Sequence, residues 1–67
     1  MDATAKFGQK VKKIRLSKKM SQGDLAKKLG VGSAYISKIE RGIQNMSLTG
    51  IIKLANALGT PPDHLLK

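Results

Sequence analysis

The stretch from Ser21 to Gly42, S-Q-G-D-L-A-K-K-L-G-V-G-S-A-Y-I-S-K-I-E-R-G, holds two short amphipathic helical patterns with only a glycine-marked turn between them. Two helices joined this closely can pack crossed, as in a helix-turn-helix. The residue at their contact must be small, and Ala26 meets that demand. The chain must also reverse within a very few residues, which calls for a backbone position at positive φ. Glycine takes that conformation without strain, and Gly30 stands there. Ile36 and Ile39, three residues apart, give the second helix an apolar inner face. Its outer face is left to Ser33, Ala34, Ser37 and Lys38, with Tyr35 on the flank. An ordinary helical hairpin in a small bundle would not require Ala, Gly and Ile to coincide at these places.

The flanking sequence supplies more helices. Phe7, Val11 and Ile14 recur at i, i+4 and i+7, which predicts a first helix over about 4–18, with Lys6, Lys10 and Lys13 grouped on another side. Leu16 falls off this stripe. Ser21 reads as an N-cap, with Asp24 three residues on, so helix 2 is expected over about 22–29, burying Leu25, Ala26 and Leu29. Gly30 is its expected left-handed C-cap, and Val31 is expected to fill the corner. Helix 3 is expected over about 33–41, ended by Gly42. Ile43-Gln44-Asn45-Met46 reads as a loop. Ser47 can then cap a fourth helix over about 48–58, with an apolar set of Leu48, Ile51, Ile52, Ala55 and Leu58, closed by Gly59. Thr60-Pro61-Pro62-Asp63 is a helix restart, giving a fifth helix over about 61–66 that carries Leu65 and Leu66. Gly8, Gly23 and Gly50 fall inside predicted helices, each at a cost of up to ~1 kcal/mol relative to alanine. The expectation is one all-α domain over residues 1–67, with no strand pattern, repeat or linker.

Charge narrows the choice of partner. Thirteen Lys and Arg oppose four acids, a formal charge of +9. Such an excess favours a polyanion, either nucleic acid or an anionic membrane surface. Eleven of the thirteen are lysine, which suits attraction to phosphate better than bidentate reading of bases. Phe7 and Tyr35 are the only aromatic residues, too few for a platform that stacks single-stranded bases, so duplex DNA is favoured. A small outer surface on a helix held proud by Ala26, Gly30 and Ile36 has the spacing of a DNA-binding helix-turn-helix, whose second helix enters the major groove.

The segments S-Q-G-D-L-A-K-K-L-G-V and Y-I-S-K-I-E-R-G, with I-I-K-L-A-N-A-L-G and P-P-D-H-L-L further on, resemble the phage repressor/Cro-type, Xre-like helix-turn-helix family. The resemblance covers nearly all of the chain. The segment Arg41 to Leu48, together with Tyr35, is also similar to the controller proteins of restriction–modification systems. The resemblance implies a compact five-helix, lambda-repressor-like domain and a DNA-binding transcriptional regulator, a repressor in the first instance, acting as a homodimer on a palindromic operator. It implies that Gln22 bonds a phosphate and supports the recognition helix, with the backbone N–H groups of its helix N-terminus adding to the same anion site. Ser33, Ala34, Ser37 and Lys38 take the base-reading positions. Tyr35 touches backbone or the spacer between half-sites, and Gln44 and Asn45 approach backbone or minor groove. Arg15 and Glu40 match a buried ion pair tying helix 1 to helix 3, with a solvated surface pair as the alternative. The chain departs from the pattern at Gly32, where a capping side chain is usual, at Gly23 and at Met46. Ser33 and Ala34 are short for base reading, so modest direct readout is expected, with Lys38 on guanine or phosphate and a large share left to DNA shape.

Little else in the chain carries chemistry. His64, the only histidine, is expected to face solvent. Asp2, Asp24, Glu40 and Asp63 are scattered, without a carboxylate pair or a metal-ligand cluster, and there is no cysteine. No enzyme, cofactor, metal or small-molecule substrate is expected. No apolar run approaches the ~20 residues that span a bilayer, so a cytoplasmic, nucleoid-associated protein is expected. The alternative function is a protein-interaction module on the same fold, an antitoxin or bridging coactivator, with Leu65, Leu66 and the Met46 loop facing a partner. A basic helix lying on anionic membrane is a third, but the apolar faces look fully used in a core, so no vesicle binding is expected.

Overall fold

In the computed structural model, which describes residues 3–66, the chain forms α1 (Ala3–Ser17), α2 (Gln22–Leu29), α3 (Ser33–Glu40), α4 (Leu48–Leu58) and α5 (Asp63–Leu66). No strand occurs among the described residues. One core joins all five helices: Val11 of α1, Leu25 and Ala26 of α2, Ile36 and Ile39 of α3, Leu54, Ala55 and Leu58 of α4, and Leu65 of α5. Phe7, Ile14, Leu29 and Met46 pack around it. Each fully buried leucine or isoleucine contributes ~1.5–3 kcal/mol relative to exposure, and in a chain this short these few side chains must supply most of the stability.

Local chemistry sets the helix boundaries. Ser21 and Asp24 form a reciprocal capping box at the start of α2: Asp24 N–H donates to Ser21 Oγ, and Ser21 N–H donates to the Asp24 carboxylate, both at 2.9 Å. The Ser21 amide, and then the Ser21 hydroxyl, hold the Asp24 carboxyl below its ordinary value of 3.8, with Lys27 and Lys28 adding to the effect. Gly30 closes α2 in the left-handed region at φ 80°, and the N–H groups of Gly30 and Val31 both reach the Ala26 carbonyl. Ser47 caps α4 by accepting from Gly50 N–H at 3.1 Å. Gly32 caps α3 in extended conformation without a side-chain bond.

Several expectations need correction. Helix 1 ends at Ser17, not Lys18, because Lys19 turns into the left-handed region at φ 58°. Helix 3 ends at Glu40, with Arg41 as the cap residue. Helix 5 begins at Asp63, not at position 61. A proline disfavours helical backbone in the residue before it, so Pro61 is held out by Pro62, and only a single turn follows. Val31 does not fill the corner; it is 37% exposed. In α4, Leu48 and Ile52 lie outside the core, 62% and 41% exposed, and the fully buried Leu54 takes the central place. Leu65 is core, whereas Leu66 is 54% exposed. Leu16 is exposed as well, which explains why it fits no apolar stripe.

Gly8 is no mere defect in α1. It is buried, and a Cβ there would lie 2.4 Å from the Ile39 carbonyl oxygen and 2.7 Å from that of Glu40. The absent side chain lets α1 approach the C-terminal end of α3 backbone to backbone. That approach places Arg15, two turns further along α1, within reach of Glu40.

Candidate nucleic-acid interface

Helix α3 has two unlike sides. Ile36 and Ile39 are fully buried, while Ser33, Ala34 and Lys38 are exposed and Ser37 is half-buried. Tyr35 is half-buried against the rim of the core, near Leu29, Val31 and Met46. The outward surface therefore presents a hydroxyl, a methyl and an ammonium, short or flexible groups that leave the helix backbone free to approach a partner closely.

The end of α3 is fixed by a buried charged network. Arg15 Nε donates to Glu40 Oε2 at 2.6 Å and Nη2 to Oε1 at 3.1 Å, with both side chains less than a tenth exposed. Arg15 Nη1 donates to the Met20 carbonyl at 2.7 Å, so the same guanidinium also grips the turn between α1 and α2. Gln22 completes the set by donating from Nε2 to Glu40 Oε1 at 3.1 Å. An ionised carboxylate only accepts, which dictates that the Gln22 amide turns its nitrogen toward Glu40 and retains a second N–H for another acceptor. The family resemblance paired Arg15 with Glu40 and had Gln22 support the recognition helix, but did not name Glu40 as the partner of Gln22. Gln22 and Glu40 are 18 residues apart, and no local pattern connects them.

Gln22, Ser33, Ala34, Ser37 and Lys38 thus belong to two helices held by one core and one ion-pair network. Gln44 and Asn45 lie outside these two helices, in the loop between α3 and α4. They line a groove of about 480 Å³ with Ala3, Thr4, Phe7, Met46, Ile51, Leu65 and Leu66, to which α3 contributes nothing, and Gln44 Nε2 donates to the Asn45 carbonyl at 3.0 Å. His64 is exposed, and its Nδ1 lies 3.0 Å from Thr60 Oγ1, a local bond across the start of α5.

Electrostatically, most of the positive surface charge stays open. Glu40 is consumed internally by Arg15, and Asp24 is held by its capping box. Among the described residues no lysine has a carboxylate within 4.0 Å. The resulting positive field is open to a polyanion. No helix among the described residues is long and apolar enough to cross a membrane.

Two helices packed on one core across a glycine-capped turn, the second with an exposed polar side, on a strongly basic domain have the form of a DNA-binding helix-turn-helix, and the comparisons agree. A helix-turn-helix family model matches residues 11–65, and the chain belongs to this Xre-like family of transcriptional regulators. It is similar to the control protein C.BamHI of Bacillus amyloliquefaciens, 54% identical over 61 residues that span 90% of this chain and 75% of the relative. The crystal structure of the restriction–modification controller protein C.AhdI from Aeromonas hydrophila superposes with a TM-score of 0.88 at 42% identity, covering 92% of this chain and 90% of that one. The structure of the biofilm master regulator SinR in complex with DNA superposes with a TM-score of 0.82 at 37% identity, covering 91% and 98% of the two chains. Of the full-length SinR regulator of Bacillus subtilis, this chain spans 55%.

Proposed function

We propose that this DNA-binding regulator acts as a homodimeric repressor, placing α3 of each protomer in the major groove of a palindromic operator. The observation that carries the reading is the two-sidedness of α3: Ile36 and Ile39 sealed in the core, Ser33, Ala34 and Lys38 open to a partner. Ser33 and Ser37 offer hydroxyls to base edges, Ala34 a methyl to thymine, and Lys38 an ammonium to guanine or phosphate. Gln22, with its spare N–H, serves a phosphate at the start of α2. Tyr35 meets backbone or the spacer between half-sites, and Gln44 and Asn45 approach backbone at the edge of the site. Such short side chains discriminate weakly, so DNA shape supplies much of the preference. Exposed Leu66, beside the groove that α5 shares with the Met46 loop, supports α5 as part of the contact between protomers. Likeness to two controller proteins supports a role in controlling restriction–modification genes, in the cytoplasm and at the nucleoid.

Selection of bound duplexes from a random oligonucleotide pool tests this. The expected product is an inverted repeat whose half-sites lie about one helical turn, ~10–10.5 bp, apart. Absence of any enriched duplex, together with a stoichiometric protein partner in pull-downs, would replace this reading with the protein-interaction module.

A further inference from the structure

Lys19 is the one non-glycine residue among the described residues with positive φ, at 58°. A side chain in this region crowds the neighbouring carbonyl, so the position ordinarily falls to glycine. Gly30 and Gly59 fill the equivalent place after α2 and α4. The fold makes no visible use of the lysine. Lys19 is exposed, and its ammonium has no hydrogen-bond or ion-pair partner among the described residues. Its neighbour Lys18 differs, with Nζ 3.5 Å from the Gly59 carbonyl. A strained residue that contributes nothing to packing points to a use outside the molecule.

The place of Lys19 suggests that use. It precedes Met20, whose carbonyl is gripped by Arg15, which grips Glu40, which accepts from Gln22. This network pins the α1–α2 turn against the start of α2 and the end of α3. Lys19 is three residues from Gln22, at most ~11 Å along the chain. A DNA strand carries one phosphate per ~3.4 Å of helix axis, so a neighbouring phosphate falls within reach when Gln22 meets the backbone. We infer that Lys19 is a DNA-backbone contact, kept in a strained conformation because its charge meets a phosphate beside the one met at α2. It strengthens binding to every sequence alike and reads none. The assignment rests on duplex binding through α2 and α3.

Lys19→Gly, Lys19→Gln and Lys19→Arg separate backbone from charge. Thermal melts are combined with titration of a labelled mixed-sequence duplex of about 30 bp between about 50 and 200 mM salt. Lys19→Gly should melt a few degrees higher than wild type, and Lys19→Gln should not. Both should bind more weakly and flatten the plot of log K against log salt by ~0.9, so that the wild-type lead shrinks about 3-fold across that range. Lys19→Arg should keep the wild-type slope. Wild-type slopes in the Gly and Gln variants, or a lower melting point for Lys19→Gly, would overturn the assignment while leaving duplex binding intact. Failure of the wild-type protein itself to bind the duplex would sink the duplex-binding reading, and this assignment with it.

Discussion

Glu40 receives donors from two other helices, Arg15 of α1 and Gln22 of α2, and it is almost fully buried. Removing one member of a buried charged pair strands the other, at a cost of ~3–5 kcal/mol. Glu40→Ala should lower stability by that amount in chemical denaturation, enough to leave a small domain largely unfolded. Arg15→Ala should do nearly as much, because the Met20 carbonyl loses its donor too. Gly8 offers a second test of the same seam. The carbonyl oxygens that a Cβ would strike belong to the α3 backbone, which cannot swing aside as a flexible side chain would. Gly8→Ala should therefore cost ~1–3 kcal/mol, against the slight gain expected of alanine at a free helical site. Thermal melts resolve the two, since each kcal/mol is worth ~4–8 °C in a domain of this size.

The helices test how local pattern becomes packing. In α4, Leu54→Ala should cost ~2–5 kcal/mol, whereas Ile52→Ala and Leu48→Ala should fall nearer ~0.5 kcal/mol, as surface changes do; comparing denaturation midpoints checks the contrast. At α2, the folded Asp24 titrates below the unfolded value, so its contribution to stability is complete above about pH 4 and lost as pH falls through the lowered value. The gap in melting temperature between wild type and Asp24→Asn should accordingly close as the solution is acidified below that point. Much of this architecture was legible in the sequence because it is local. Ser21 with Asp24, and Gly30 and Gly59 in their turns, declare their roles within a few residues of themselves. In α4 the pattern misled because seven of eleven residues are apolar, and choosing Ile52 over Leu54 rotates the buried face. A usable signal was present in the polar residues: Thr49, Lys53 and Asn56, at i, i+4 and i+7, mark the outer side, and Leu54 and Leu58 stand opposite. Gly8 and the Gln22–Glu40 bond had no such signal, because each depends on a helix that arrives from far along the chain.

For the molecule as a whole, the decisive quantities are its +9 charge and the direction in which α3 points. The charge supplies affinity for any duplex, steeply weakened by salt. On the proposed reading, preference for one sequence comes from α3 and from the shape of the DNA it meets. Comparing the affinity of the wild-type protein with that of the Ser33→Ala/Lys38→Ala variant, on a selected operator and on a mixed-sequence duplex at the same salt, separates the two contributions. The account predicts that the variant loses most of its operator preference while much of its general affinity for DNA remains. An unchanged ratio of operator to mixed-sequence affinity would contradict the claim that α3 is the surface that reads DNA.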